Sequence, residues 1–476
     1  MPTRPSLPPP TTPLDLPTFQ RLPFKPFAPP SFSQSSQLPP LPSPPRQPIP
    51  SLAASYTLST HILPAVRPRS APYIHVPDNL SPEYGQRITD KREKRQWVGR
   101  VVEWLLDVRK KFTSGQLDDK DQSGEGMWNV VNRYVLKESG KKKGKGVTLF
   151  VLHATGFLKE IWEPALAQLV SQSQSSSSDT YVEEIWAWES AQHGDAALLN
   201  ESINALNGLC DWRDNARDVV NFLSNYLPLP SKSQPNYPPE LYPSVHLQPV
   251  PESLAQQRLE RGFVPEGRTL VVVGHSYGGC ASALAAINYP AMFTGGLILV
   301  DPVILPFGSY YQDVKLQMTA GAVGRRTTWK DRQEALSLFS ASPFFSVWDP
   351  EVLNVYVECG LTDFEGGVRL KISGFQEATM FADTSVAYEV FERLPELDPR
   401  VELKWVLPGN AKQDSIGGVE MQPYRAWRRP QNASNVIIPG AGHLITQEAP
   451  QALAEEMWAF ILKKAADGSG EMRARL

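Results

Sequence analysis

Cysteine is scarce. Cys210, Cys280 and Cys359 are the only three in 476 residues, too few and too widely spaced for a disulfide framework or a thiolate metal site. They suit a reducing compartment. An excess of basic charge is missing as well: 47 Lys and Arg stand against 50 Asp and Glu, a net charge of −3, which gives nucleic acid no cationic surface. No apolar run approaches the roughly 18 residues that span a membrane. The opening Met1-Pro-Thr-Arg-Pro5 has no apolar stretch of the kind a secretory signal needs.

Proline is abundant. Of the 45 prolines, 26 crowd into two places, residues 1–50 and 227–251. The first is also Ser-rich and poor in β-branched residues, so it reads as a disordered or polyproline segment that cannot offset its ordering entropy. Its Pro40-Leu-Pro-Ser-Pro-Pro45 spelling is that of a Pro-x-x-Pro ligand, and a plain linker is the simpler reading. The second, together with the Ser-rich stretch 171–179, reads as an insertion. Lys141–Gly146 reads as a solvated hairpin loop.

Between these segments, strand and helix patterns alternate. Strands are expected at 55–66, 128–136, 147–152, 181–188, 269–273, 296–300, 401–407 and 436–438. Helices are expected at 90–112, 159–169, 214–226, 254–261, 281–287 and 449–464. Trp97, Val101, Leu105, Val108 and Phe112 form the stripe of the first helix, which reads as core packing. Residues 303–396 show helical patterns without strand alternation. The expectation is an α/β fold: a mostly parallel sheet, helices on both faces, and a helical cap inserted after the sixth strand. In domain terms this gives 1–50 disordered, 51–302 as the first part of the core, 303–396 as the cap, 397–466 as the second part, and 467–476 as a flexible tail.

The chemistry centres on Thr269–Cys280. Leu270-Val-Val-Val273 is the continuous apolar run of a strand buried on both faces, and Gly274-His275-Ser276-Tyr277-Gly278 follows it. A G-x-S-x-G between strand and helix fits a nucleophile elbow, with Ser276 Oγ held up at the strand's C-terminal end. The alternative is a Gly-rich turn that only packs strand on helix. A serine hydroxyl needs a base, and His443, in Pro439-Gly-Ala-Gly-His443 past the last strand, is the candidate. The acid that orients the imidazole is Asp301, at the end of the strand after the elbow. Asp414, in the polar loop after the next strand, is the alternative. Oxyanion donors are expected from the backbone N–H groups of Tyr277 and Phe157, the latter in the His153-Ala-Thr-Gly-Phe157 turn. His153 and His275 read as loop-ordering or pocket-wall residues, and His193 as structural. No metal or redox cofactor is needed for acyl transfer.

The order Ser276, Asp301, His443 is that of α/β-hydrolases. From roughly residue 147 to 464 the chain resembles a narrower group, the fungal peroxisomal hydrolases of secondary metabolism. These include the acyl-CoA hydrolase of the mycophenolic acid pathway and the host-selective-toxin biosynthesis proteins. The residues that carry the resemblance are Val147–Pro164, Ile185-Trp-Ala-Trp188, Leu199-Asn-Glu201, Asp211-Trp-Arg-Asp214, Gly274–Gly279, Leu297–Val303, Arg325-Arg-Thr-Thr-Trp329 and Trp348-Asp-Pro350. The resemblance implies Asp301 as the acid and acyl-CoA thioesters or related esters as substrates. Coenzyme A phosphates could then meet Arg325, Arg326 or Lys330, although a solvated charged face is the simpler reading. Ala474-Arg475-Leu476 has the small-basic-leucine form of a peroxisomal address read by an import receptor. The expectation is therefore a peroxisomal serine hydrolase, or a cytoplasmic one if the tail matches by accident. Competing readings are a lipase or carboxylesterase on lipid esters, and a non-catalytic hydrolase fold used as a binding module.

Overall fold

Among the described residues the strands are β1 (Tyr56–Pro64), β2 (Trp128–Leu136), β3 (Lys145–Leu152), β4 (Thr180–Glu189), β5 (Thr269–His275) and β6 (Leu297–Val300), then β7 (Thr328–Trp329), β8 (Leu361–Phe364), β9 (Gly367–Leu370), β10 (Leu403–Pro408) and β11 (Ala433–Ile438). The computed structural model describes residues 4–15, 17–19, 21–26, 38–117, 126–137, 144–204, 207–230, 245–309, 312–410 and 416–474. Eight strands form one sheet in the order β1-β2-β4-β3-β5-β6-β10-β11. The β1–β2 and β2–β4 pairs are antiparallel and every other pair is parallel. β5 lies inside the sheet, and its Val271, Val272 and Val273 are wholly buried, as a strand covered on both faces requires. The two faces carry separate apolar clusters. One packs against the helices Glu163–Ser175 and Pro450–Ala474, the other against Trp212–Asn221 and Tyr277–Asn288.

The segment inserted between β6 and β10 is not purely helical. It contains a second, antiparallel sheet in the order β7-β9-β8. These strands are two to four residues long, too short for alternation to register. β8 and β9 are joined by Glu365-Gly366, both at positive φ, which suits a tight two-residue hairpin. The helix Lys91–Thr113 packs its Trp97, Val101 and Leu105 on Ala322 and Val323 of the helix Gln312–Gly324 and on Phe375 and Ala378 of the helix Gly374–Ala382. It is thus an added layer on the inserted segment.

The N-terminal segment docks on the core. Its described parts lie extended against the core: Ile437 N–H donates to Pro5 O, Leu7 N–H donates to Asn435, and Arg4 pairs with Glu455 and Glu456. Leu7, Leu14, Phe19 and Phe24 pack on one core cluster. Proline's fixed φ has already removed much of the entropy that ordering costs, and spaced apolar and basic side chains supply the contacts. The expected insertion at 171–179 is helical as far as Ser175. The expected tail continues the last helix to Ala474. Residues 141–143 of the expected loop and 231–244 of the second insertion lie outside the described residues, as do Arg475 and Leu476. No helix among the described residues is long and apolar enough to cross a membrane.

Candidate active site

Ser276 sits between β5 and the helix Tyr277–Asn288 at φ 56°, ψ −122°, a region that a residue with a side chain enters only under strain. Three backbone bonds hold it there. Ser276 N–H donates to Val300 O of β6 at 3.0 Å, while Ser276 O accepts from Val303 N–H at 3.0 Å and Cys280 N–H at 3.2 Å. The neighbouring glycines are required by space: a Cβ on Gly278 would lie 2.5 Å from His153 O, and one on Gly274 2.6 Å from Gly278 O. The strand end and the helix start can approach only without side chains.

His443 reaches the elbow from the turn after β11. Its Nε2 lies 3.0 Å from Ser276 Oγ, and its Nδ1 lies 2.7 Å from Asp301 Oδ2. Asp301, at φ 31°, is pinned by its own N–H to Val406 O of β10 at 2.8 Å. Its other oxygen accepts from Arg425 Nη2 at 3.0 Å. Burial alone would raise the Asp301 pKa, but the Arg425 charge and the His443 hydrogen bond outweigh it and the net shift is downward. Arg425 is wholly buried and also donates to the carbonyls of Pro302, Ile304 and Ile416. No periodic or motif signal in Tyr424-Arg-Ala-Trp-Arg-Arg429 marks it.

Three further histidines lie behind this arrangement. His275 Nε2 faces the His443 carbonyl at 3.0 Å and therefore carries the proton, which leaves Nδ1 to accept from the Thr446 hydroxyl at 3.2 Å. Burial lowers its pKa to about 3, so it stays neutral. His193 Nε2 accepts from Gly156 N–H at 3.0 Å, and its Nδ1–H donates to Ser190 Oγ at 2.6 Å. His153 Nδ1–H donates to Ala154 O at 2.8 Å, and burial lowers the pKa of His153 to about 4. Neither His153 nor His275 lines the recess beside Ser276.

That recess is lined by Ser276 and His443 with Thr155, Trp212 and Val303. Met318, Phe381 and Asp383 of the inserted segment, and Ile416, complete it. Phe157 is absent from the lining, and its N–H donates to Ala154 O at 3.2 Å, closing the turn. The N–H expected to face an oxyanion is thus engaged elsewhere. Thr155 is the residue of that turn that lines the recess, and among the described residues its N–H has no hydrogen-bond partner. Arg325 forms an ion pair with Glu377 at 2.5 Å and Arg326 one with Glu334 at 3.0 Å, and neither lines the recess. Asp414 lies outside the described residues.

A mostly parallel sheet, a serine on a strained strand-to-helix turn and an imidazole within hydrogen-bond reach define a hydrolase of the α/β type. Residues 149–456 match the Alpha/beta hydrolase family, and the chain belongs to that family. It is 25% identical over 212 residues to the type I acyl-CoA thioesterase mpaH of Penicillium brevicompactum, a match covering 43% of this chain and 38% of that protein. It is 38% identical over 89 residues to the abhydrolase domain-containing protein AFT2-1 of Alternaria alternata, covering 18% of this chain and 32% of that protein. Among solved structures it resembles the peroxisomal alpha-beta-hydrolase Lpx1 of Saccharomyces cerevisiae, with TM-score 0.57 at 16% identity, covering 86% of this chain and 90% of that one. That likeness is one of fold.

Proposed function

We propose that the chain is a serine hydrolase that cleaves acyl-CoA thioesters or related esters through an acyl-enzyme. The observation that carries this reading is the continuous hydrogen-bonded line from Ser276 Oγ through His443 to Asp301. In the first step Ser276 Oγ attacks the acyl carbonyl as His443 Nε2 takes its proton. Asp301, kept ionised by Arg425, stabilises the imidazolium that forms. The oxyanion is received by the N–H of Tyr277, a first-turn helix donor with no intrahelical partner, and by the N–H of Thr155. His443 then protonates the leaving thiolate or alkoxide. Water, activated by the same imidazole, releases the acid.

The choice of thioester rests on the relationship to the thioesterase mpaH. The test is a panel of acyl-CoAs against glyceryl and p-nitrophenyl esters. Hydrolysis should favour thioesters and fall at least about 10³-fold in Ser276→Ala. Retention of most activity in that variant would overturn the mechanism, and turnover of esters alone would make the protein a carboxylesterase. Peroxisomal import through Ala474-Arg475-Leu476 is part of the same reading. A fluorescent fusion carrying the last twelve residues should enter peroxisomes, and one lacking the final three should stay outside.

A further inference from the structure

Asp383 sets a negative charge in the wall of the recess. It is wholly buried, and among the described residues no other Asp or Glu, and no Lys or Arg, lines the recess. Four donors hold it: Trp212 N–H at 2.8 Å and the Arg109 guanidinium at 3.3 Å on Oδ2, and Ser385 N–H and Oγ at 3.1 and 2.9 Å on Oδ1. Every one of these contacts brings a hydrogen to an oxygen, the pattern of an ionised carboxylate. With four donors in place, neither oxygen has a lone pair left for a polar group on a ligand. Nearby, Arg213 engages Asp211 and Glu389 at 3.1 and 2.7 Å, and Lys315 bonds Thr384 Oγ1 at 3.3 Å. Arg109, Arg213 and Lys315 thus balance Asp383, Asp211 and Glu389, but of these six it is Asp383 that lines the recess.

The rest of the wall gives an anion nothing to replace its water. Val303, Met318, Phe381 and Ile416 are apolar, and the donors left free, Trp212 Nε1–H and Thr155 N–H, are neutral. The Thr155 group faces the oxyanion, and His443 must be neutral to act as base. A carboxylate at the far end of an acyl chain would lose hydration and meet a like charge in a medium that screens it poorly. A methyl end incurs neither cost. We infer that Asp383 is a specificity-determining residue: its charge refuses acyl groups with an anionic end, such as the half-thioesters and half-esters of dicarboxylic acids, and leaves the recess to neutral ones. This rests on the hydrolase reading above and adds the substrate class to it.

The test separates the sign of the charge from the general cost of burying one. Thioesters of one chain length are compared in two isosteric pairs, carboxamide against carboxylate ends and tert-butyl against trimethylammonium ends. In the wild type the loss of kcat/KM from carboxamide to carboxylate should exceed the loss from tert-butyl to trimethylammonium by at least about tenfold, since like charges repel and opposite ones attract across the same wall. Asp383→Asn should bring the two losses to within about threefold of each other, whatever it does to the absolute rates. The wild-type panel stands even if Asp383→Asn does not fold. Equal losses in the wild type, outright rejection of both charged ends included, would overturn the role of Asp383 and leave the hydrolase reading intact, and so would a difference that persists in folded Asp383→Asn. Failure of Ser276 to label with a fluorophosphonate probe, with no ester or thioester turned over, would bring down the hydrolase reading and this inference with it.

Discussion

Asp301 holds a negative charge where water cannot reach it, and Arg425 is the reason. Removing one member of such a buried pair strands the other, at a cost of about 3–5 kcal/mol. Arg425→Met should therefore lower the denaturant midpoint strongly. The double variant Arg425→Met, Asp301→Asn should recover part of that loss in stability while remaining inactive. Strict additivity of the two single losses would show that the pair is not coupled. A second consequence concerns pH. His275 and His153 are buried as neutral rings, with pKa values lowered from 6.5 to about 3 and about 4. A group whose folded pKa is depressed leaves stability intact above its unfolded value and removes it as pH falls toward the folded one. The melting temperature should hold above about pH 6.5 and fall steadily below it, with roughly 4–5 kcal/mol at stake from His275 by pH 3. His275→Gln should flatten that slope; a wild-type melting temperature level from pH 7 to pH 4 would contradict the assignment.

At the scale of elements, the decisive feature is how closely β5 and the helix Tyr277–Asn288 approach β3. The methyl of Gly278→Ala would press on backbone, His153 O at 2.5 Å and Leu152 O at 2.9 Å, which cannot yield as a flexible side chain does. A cost of about 1–3 kcal/mol is expected. Because those atoms lead into the turn that carries Thr155, kcat should fall by more than the stability loss explains. Kinetics on protein shown to be folded by near-ultraviolet circular dichroism would check this. The elbow itself was legible in the sequence because each of its signals is local: an apolar run, two glycines and a helix former in succession. The small antiparallel sheet of the inserted segment was not legible. Its strands, two to four residues long, span at most two periods of the alternation that reveals a strand, and its turn uses Glu365-Gly366 in place of the commoner Asn-Gly.

Across the whole molecule, the N-terminal segment behaves as a strap. Arg46 forks Glu163 at 2.6 and 3.0 Å, Ser43 bonds Asp195, and Lys371 of the inserted segment meets both Ser43 and Asp195. Strap, core and inserted segment thus share one buried polar network that also holds Lys159 and Glu189. A chain lacking residues 1–47 should melt at least about 2 °C lower, since it forfeits these bonds and the apolar contacts of Leu7, Leu14, Phe19 and Phe24. Scanning fluorimetry would read this, and an unchanged midpoint would mean that the strap contributes nothing. Proline content counts equally toward disorder and toward an extended chain already poised to dock, so composition does not separate the two.

The sequence by itself determined the alternation of strands and helices, the elbow at Ser276, and the chain order that nominates Asp301 and His443. Those signals lie within a dozen residues of each other or follow from the order of strands in a parallel sheet. Tertiary structure alone decided that Asp301 and His443, 142 residues apart, meet at 2.7 Å, that Arg425 closes the far side of the carboxylate, and that Thr155 rather than Phe157 lines the recess. Each of these depends on which groups long loops bring into contact and which hydrogen bonds are already engaged, and no periodicity along the chain encodes that.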